Sequence, residues 1–213
     1  DQSGFLVNLL AEEAANIEPV FLNFEKDIQK SNVGDVELIY KENTENERFK
    51  LNYILEMGKD HDVKLKLAVD YLKYLGTDAM SPSQKEEEFY KLGCDLSVNC
   101  GSEKTTITLS GLANNFDESV ALFEQILAGA VADDEALENL KLSELKGRND
   151  AKLNKQIILW RAMGSYAKYG DNSSFRNILS EEDLNNVTSA ELVDLIHNLL
   201  GRIWLTLHSI SPC

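Results

Sequence analysis

Between residues 49 and 75 the apolar pattern changes period, and this limits the fold more than any other feature of the chain. Phe49, Leu51, Tyr53 and Leu55 alternate with Lys50, Asn52, Ile54 and Glu56, the repeat of a strand with one side on a core. From Asp62 the repeat becomes helical. Leu65, Ala68, Tyr71, Leu72 and Leu75 fall on one stripe, and Gly76 stops it. A half-buried strand beside an amphipathic helix points to a sheet with helices packed on it.

The remaining segments extend this pattern. Phe5 to Ala15 reads as a short helix, and Val20 to Phe24 and Val36 to Tyr40 as strands, with Gly34-Asp35 as a turn. The polar run Lys41 to Glu47 reads as the hairpin loop into the strand at Phe49. Ser81-Pro82-Ser83 opens a second long helix that ends at Gly93. Strands are expected at Cys94 to Cys100 and Thr105 to Leu109, joined by the turn Gly101 to Lys104. Helices follow. One is capped at Asn115 or Asp117, one runs from Asp133-Asp134 to about Arg148, one covers Asn154 to Tyr169, and Ser189 caps the last, Ala190 to Leu200. Arg202 to His208 closes as a strand. The expected fold is α+β, an antiparallel sheet covered on one side by helices. Residues 1–17 form an N-terminal helical extension and residues 18–213 a single domain, because no Pro/Gly/Ser-rich linker divides them.

Charge narrows the functions open to such a fold. Lys and Arg number 21 against 36 Asp and Glu, a net charge of −15, which argues against nucleic acid and against anionic membrane surfaces. No apolar run is long enough to span a bilayer. The opening Asp1-Gln2-Ser3 shows no signal-peptide pattern. The expectation is a soluble piece of something longer, in the cell envelope or periplasm if the parent carries a signal peptide. Cys94 and Cys100 would share one face of a strand about 20 Å apart, too far for a disulfide. With Cys213 they make an odd count; Cys94 and Cys100 are read as free buried thiols, and there is no CxxC.

Standard catalytic signatures are missing. The sequence has no GxGxxG, Walker loop or GxSxG. His61, His197 and His208 have no i, i+4 pairing. Asp60-His61-Asp62 reads as a solvated turn before a helix, and Glu86-Glu87-Glu88 as a solvated helix face. Asn172-Ser173-Ser174 and Asn186-Val187-Thr188 fit the glycosylation acceptor pattern, which carries no weight without a secretory context. The residues alone describe an acidic α+β domain with no visible catalytic constellation.

One segment carries a resemblance: Leu67-Ala68-Val69-Asp70-Tyr71-Leu72-Lys73-Tyr74-Leu75-Gly76-Thr77. It is similar to the helix of the pitrilysin, insulysin and mitochondrial processing peptidase family, whose active halves carry H-x-x-E-H followed by apolar residues and Gly-Thr. Anchored on Gly76-Thr77, Leu67 stands at the first His, Asp70 at the general-base Glu and Tyr71 at the second His. Glu144 stands where the family places its third zinc ligand. The later blocks Phe89 to Gly93, Leu109 to Leu112, Phe116 to Leu127, Glu135 to Arg148 and Tyr166 to Gly170 keep the family's order, so the resemblance covers roughly residues 18 to 208.

The resemblance implies a half whose zinc motif is degenerate. Such a half binds no metal itself. It closes the chamber, helps hold the peptide substrate and works with a homologous zinc-bearing half, in the same polypeptide or as a separate subunit. Arg161 and Tyr169 match the residue types that the family presents to substrate, Arg toward a peptide carbonyl and Tyr toward the oxyanion. An isolated copy would be free to self-associate. A second reading is a stand-alone, non-proteolytic interaction module of the same fold. A third is a metalloenzyme using Asp70, Glu144 and a distant His.

Overall fold

Six strands form one sheet: β1 (Gln29–Val33), β2 (Val36–Lys41), β3 (Arg48–Leu55), β4 (Asp95–Cys100), β5 (Thr105–Leu112) and β6 (Trp204–His208). Their spatial order is β1-β2-β6-β3-β5-β4. The structure, a computed structural model, describes residues 3–12, 18–19, 21, 23–34, 36–173, 175–199 and 204–208. All described pairings are antiparallel except β2 with β6, which run parallel.

The alternation in β3 sets the two faces of the sheet. Phe49, Leu51, Tyr53 and Leu55 are at most 5% exposed. In register beside them, Ile107 and Leu109 of β5 are fully buried. This face is covered by α2 (Val63–Leu72), α4 (Phe116–Gly129) and α8 (Ser189–Leu199), which contribute Tyr71, Phe123, Leu192 and Ile196 to one continuous core. Phe49 meets Phe116 edge to face with ring centroids 5.0 Å apart, and Tyr53 leans on Phe123 at 4.9 Å. The opposite face carries Asn52 and Thr108, whose hydroxyl donates to Asn52 Oδ1 at 2.7 Å. The α+β architecture with helices on one side of the sheet is therefore as expected.

Local signals set most helix ends. Asp62 caps α2 by accepting from the Lys64 amide at 2.8 Å. Ser81 and Gln84 form a reciprocal capping box at the start of α3 (Pro82–Leu92). Asp133 caps α5 (Asp134–Leu153) by accepting from the Ala136 amide at 2.9 Å. Lys85 is 2% exposed, and its ammonium donates to Leu72 O, Lys73 O and Leu75 O at 3.3, 2.8 and 2.9 Å. It thus closes the C-terminal end of α2, where a positive charge suits the helix dipole.

Several expectations need correction. Phe21, Asn23 and Phe24 are not strand, and Phe24 lies in a turn where Asn23 Oδ1 accepts from the amides of Glu25 and Lys26. The strand is β1 instead, a polar segment that forms because Gly34 takes φ +61° and folds it back onto β2. Lys41 to Glu47 is no hairpin loop, since β6 lies between β2 and β3. Thr188, not Ser189, caps α8 by accepting from the Glu191 amide at 3.3 Å. A short helix, α7 (Glu181–Asn186), joins the set. The N-terminal helix α1 spans Gly4–Ala11. Ala15, Val20, Leu22, Asp35, Ser174, Leu200, Arg202, Ile203 and Cys213, which belong to sequence-based assignments, lie outside the described residues. Cys94 and Cys100 are free thiols as expected, but only Cys94 is buried, Cys100 being half-buried at the end of β4.

Candidate functional site

Helix α2 places Leu67 and Asp70 on one side, three residues apart. Helix α5 crosses that side. Between them lies a pocket of about 40 Å³ lined by Leu67, Asp70 and Glu144, together with Lys66 and Arg148. That volume is close to one water's share of liquid volume, roughly 30 Å³. Three of the four motif positions therefore meet across α2 and α5.

The charges in this pocket are already paired. Lys66 Nζ bonds Asp70 Oδ2, and Lys73 Nζ reaches Asp70 Oδ1 at 3.3 Å. Arg148 Nε holds Glu144 Oε1 at 3.0 Å and donates from Nη1 to Leu179 O at 2.7 Å. Burial works to lower the Lys66 pKa, but the bond to Asp70 and the charges of Asp70 and Glu144 outweigh it, so the ammonium is held above its ordinary value. Both carboxylates are thus engaged by cations, Asp70 by Lys66 and Lys73 and Glu144 by Arg148.

Tyr71 points elsewhere. Its side chain is fully buried. Its hydroxyl donates to Asp133 O at 2.6 Å and accepts from Asp133 N at 2.8 Å. It ties α2 to the N-terminal end of α5. Gly76, the anchor of the sequence resemblance, sits in a tight turn in which Thr77 N donates to Met80 O at 2.8 Å. A Cβ there would lie 2.4 Å from Met80 O, so the turn admits only glycine.

These residues do not suit a zinc ion. Leu67 offers no donor atom, Tyr71 is turned to the backbone of Asp133, and any dication beside Asp70 and Glu144 would face Lys66 and Arg148. Among the described residues, no group of three or more His, Cys, Asp or Glu is arranged to hold a metal ion.

Arg161 and Tyr169 stand apart from this pocket. Residues Ile157–Met163 form a π-helical stretch that continues into α6 (Gly164–Tyr169), a wide helix of a kind often seen at functional sites. Arg161 is exposed and Tyr169 half exposed, with Lys168 Nζ 5.0 Å from the Tyr169 ring centroid. Sequence reading missed the rest of this surface. Trp160 is 75% exposed, and Met163 and Tyr166 are 57% exposed. Their spacing of three is also that of a core stripe, so the sequence carried no signal that they face outward. Beside them an apolar groove of about 610 Å³ lies between α5 and residues 157–181.

No family model and no curated protein matches the sequence. Solved structures do match. The periplasmic protease PqqL from Escherichia coli aligns with 99% of this chain and 27% of its own, at TM-score 0.67 and 14% identity. The peptidase M16 inactive domain from Pseudomonas fluorescens aligns with 87% of this chain and 47% of its own, at TM-score 0.73 and 18% identity. The ferredoxin protease FusC, in complex with Arabidopsis ferredoxin, aligns with 91% of this chain and 22% of its own, at TM-score 0.69 and 10% identity. The chain therefore spans between about a quarter and a half of the proteins it resembles. At these identities the likeness is one of fold: this chain has the α+β fold of a unit of M16-type peptidases, one of which is an inactive domain.

Proposed function

We propose that the chain is a non-catalytic unit of a larger zinc endopeptidase of this type. In this reading it closes the chamber and helps hold an extended peptide, while a homologous zinc-bearing half carries out the cleavage. The observation that carries the reading is the pocket between α2 and α5. Where the resemblance places zinc ligands and a general base, Asp70 and Glu144 are bound to Lys66 and Arg148, and Leu67 has no donor. The fold shared with an inactive peptidase domain supports it.

Substrate contact is assigned to the exposed face of residues 157–169. Arg161 would donate to a peptide carbonyl and Tyr169 to the oxyanion formed in the partner's site. Trp160, Met163 and Tyr166 would supply apolar contact with the substrate. A cell-envelope location, like that of periplasmic PqqL, belongs to the same reading. No described helix is long and apolar enough to cross a membrane.

Reconstitution tests this. The chain is mixed with the zinc-bearing half encoded by the same or an adjacent gene, and cleavage of an unstructured peptide is followed. The reading expects no cleavage by the chain alone and strong stimulation of the partner half. Arg161→Ala and Tyr169→Phe should each reduce that stimulation. Cleavage by the chain alone, abolished by a chelator, would overturn the reading. No stimulation of any zinc-bearing half would favour the stand-alone interaction module.

A further inference from the structure

Charge is distributed unevenly along this chain. Acidic residues number 36 in 213, yet residues 151–170 contain none, the longest such run in the sequence. The same run carries Lys152, Lys155, Arg161 and Lys168. It includes the helix of residues 157–169, which has no buried residue along its length. The groove beside α5 takes in Ile157, Ile158 and Ala162 from this run, together with Glu181. Lys155, Trp160, Arg161, Met163, Tyr166 and Lys168 are exposed and do not line it.

Elsewhere on the surface lysines meet carboxylates, as Lys64 does Glu191, Lys91 does Glu87 and Glu88, and Lys104 does Glu56. The nearest ion pairs on either side of the run are Arg148 with Glu144 and Arg176 with Asp171. Asp171, the first acidic residue after the run, is thus already held. Among the described residues, Lys155, Arg161 and Lys168 form no ion pair, and Lys168 lies instead against the Tyr169 ring, 5.0 Å from its centroid. The outward surface of this helix is therefore cationic and aromatic on a chain of net charge −15.

We propose that this surface selects acidic peptides, segments in which Asp or Glu alternate with apolar or aromatic residues. The carboxylates pair with Lys155, Arg161 and Lys168, and the apolar side chains lie on Trp160, Met163 and Tyr166. The inference rests on the reading of residues 157–169 as the substrate-contacting face and names the class of substrate. That helix is roughly 20 Å long, the reach of about six residues of extended peptide. Charge-assisted bonds formed beside large aromatic side chains are stronger than those in open water. The negative charge of the rest of the chain opposes such a ligand only weakly, because salt screens it beyond roughly 8–10 Å. A bilayer or a nucleic acid fits less well. Either is a large polyanion that would meet the acidic body as well as the helix, whereas an extended peptide touches the helix alone.

The test uses the full 213-residue chain alone and follows the fluorescence anisotropy of two labelled peptides. One alternates Glu with Leu and Phe, and the other has Lys in place of every Glu. The net charge of −15 by itself favours the Lys peptide, so bulk charge and the helix surface give opposite orders. The proposal expects the Glu peptide to bind at least about tenfold more tightly and to weaken with added salt. Lys155→Gln, Arg161→Gln and Lys168→Gln together should cancel that preference, and Trp160→Ala should weaken both peptides. All four side chains are exposed, so these variants should keep the wild-type circular dichroism spectrum and Tm; the comparison of the two peptides on the wild-type chain needs no variant. Equal binding, tighter binding of the Lys peptide or binding of neither would overturn the proposal, as would a Glu-peptide affinity unchanged in the triple variant. So would tighter binding of a single-stranded oligonucleotide or of phosphatidylserine-containing vesicles than of the Glu peptide. Reconstitution separates this inference from the function proposed above. Equal stimulation of a zinc-bearing half on both peptides would overturn the acidic preference and leave that function standing. A Glu peptide that is bound selectively but cleaved by no reconstituted pair would overturn that function and uphold the acidic ligand.

Discussion

Replacing Tyr71 with Phe removes one oxygen and keeps the buried ring. No cavity larger than a hydroxyl opens, so the packing change is small. What is lost is the bridge to Asp133, in which the hydroxyl both donates to its carbonyl at 2.6 Å and accepts from its amide at 2.8 Å. An orphaned backbone group costs roughly 1–3 kcal/mol when buried. Asp133 is exposed, so water can recover part of that, and the expected loss is about 2 kcal/mol. For a chain of this size it lowers Tm by roughly 4–8 °C. In urea the midpoint should fall with the m-value unchanged. The alkaline limb gives a second readout. Burial holds the Tyr71 phenol above its ordinary 10.0, so above that pH the unfolded chain loses its proton first. The group's contribution is intact below pH 10 and is lost as pH rises, at about 1.4 kcal/mol per pH unit. Tyr71→Phe should remove that part of the slope. A loss under about 0.5 kcal/mol with the alkaline slope unchanged would refute the role of Tyr71 as the clamp between α2 and α5.

Other outcomes follow from the same geometry. Lys85→Met keeps the aliphatic stem but deprives three carbonyls at the end of α2 of their donor; relief of the buried charge offsets part of this, leaving a net loss of about 2 kcal/mol measurable by urea unfolding. Gly76→Ala should destabilise by about 2 kcal/mol or more, because its Cβ meets the fixed carbonyl of Met80. Excess zinc should leave the thermal midpoint of the wild-type chain unchanged; a gain of about 2.7 kcal/mol, the value for ligand at a hundred times Kd, would reveal a tight site. Thiol labelling should reach Cys100 before Cys94, since burial both shields the Cys94 thiol and raises its pKa.

The fold was legible where side-chain pattern and burial agree. The alternation from Phe49 to Leu55 fixed the core face of β3, and Ser81, Pro82 and Gly93 marked both ends of α3. The pattern failed at β1, where Gln29 to Val33 has a single apolar residue and the strand exists because a turn returns it to β2. The insertion of β6 between β2 and β3 has no local signal, since it depends on pairing across the whole chain. In the site, the spacing of Leu67 and Asp70 implies a shared helix face, but their meeting with Glu144 depends on how α5 crosses α2. The bond from Tyr71 to Asp133 spans 62 positions and leaves no mark on the sequence. The outward display of Trp160 and Tyr166 was equally hidden, because a stripe of apolar residues reads the same whether a core or a partner covers it.

The central place of β6 has a consequence for how the chain is made. The hairpin of β1 and β2 joins the rest of the sheet through β6, which pairs with both β2 and β3. During synthesis this hairpin emerges about 160 residues before the strand that holds it. At roughly 5–20 residues per second it waits on the order of 10–30 s with an open edge. Pairing between such distant segments is slow to form because a long loop must close first. The sheet is therefore exposed to aggregation and to chaperones until β6 leaves the ribosome, and a ribosome stalled short of β6 would hold two sheet fragments with nothing between them.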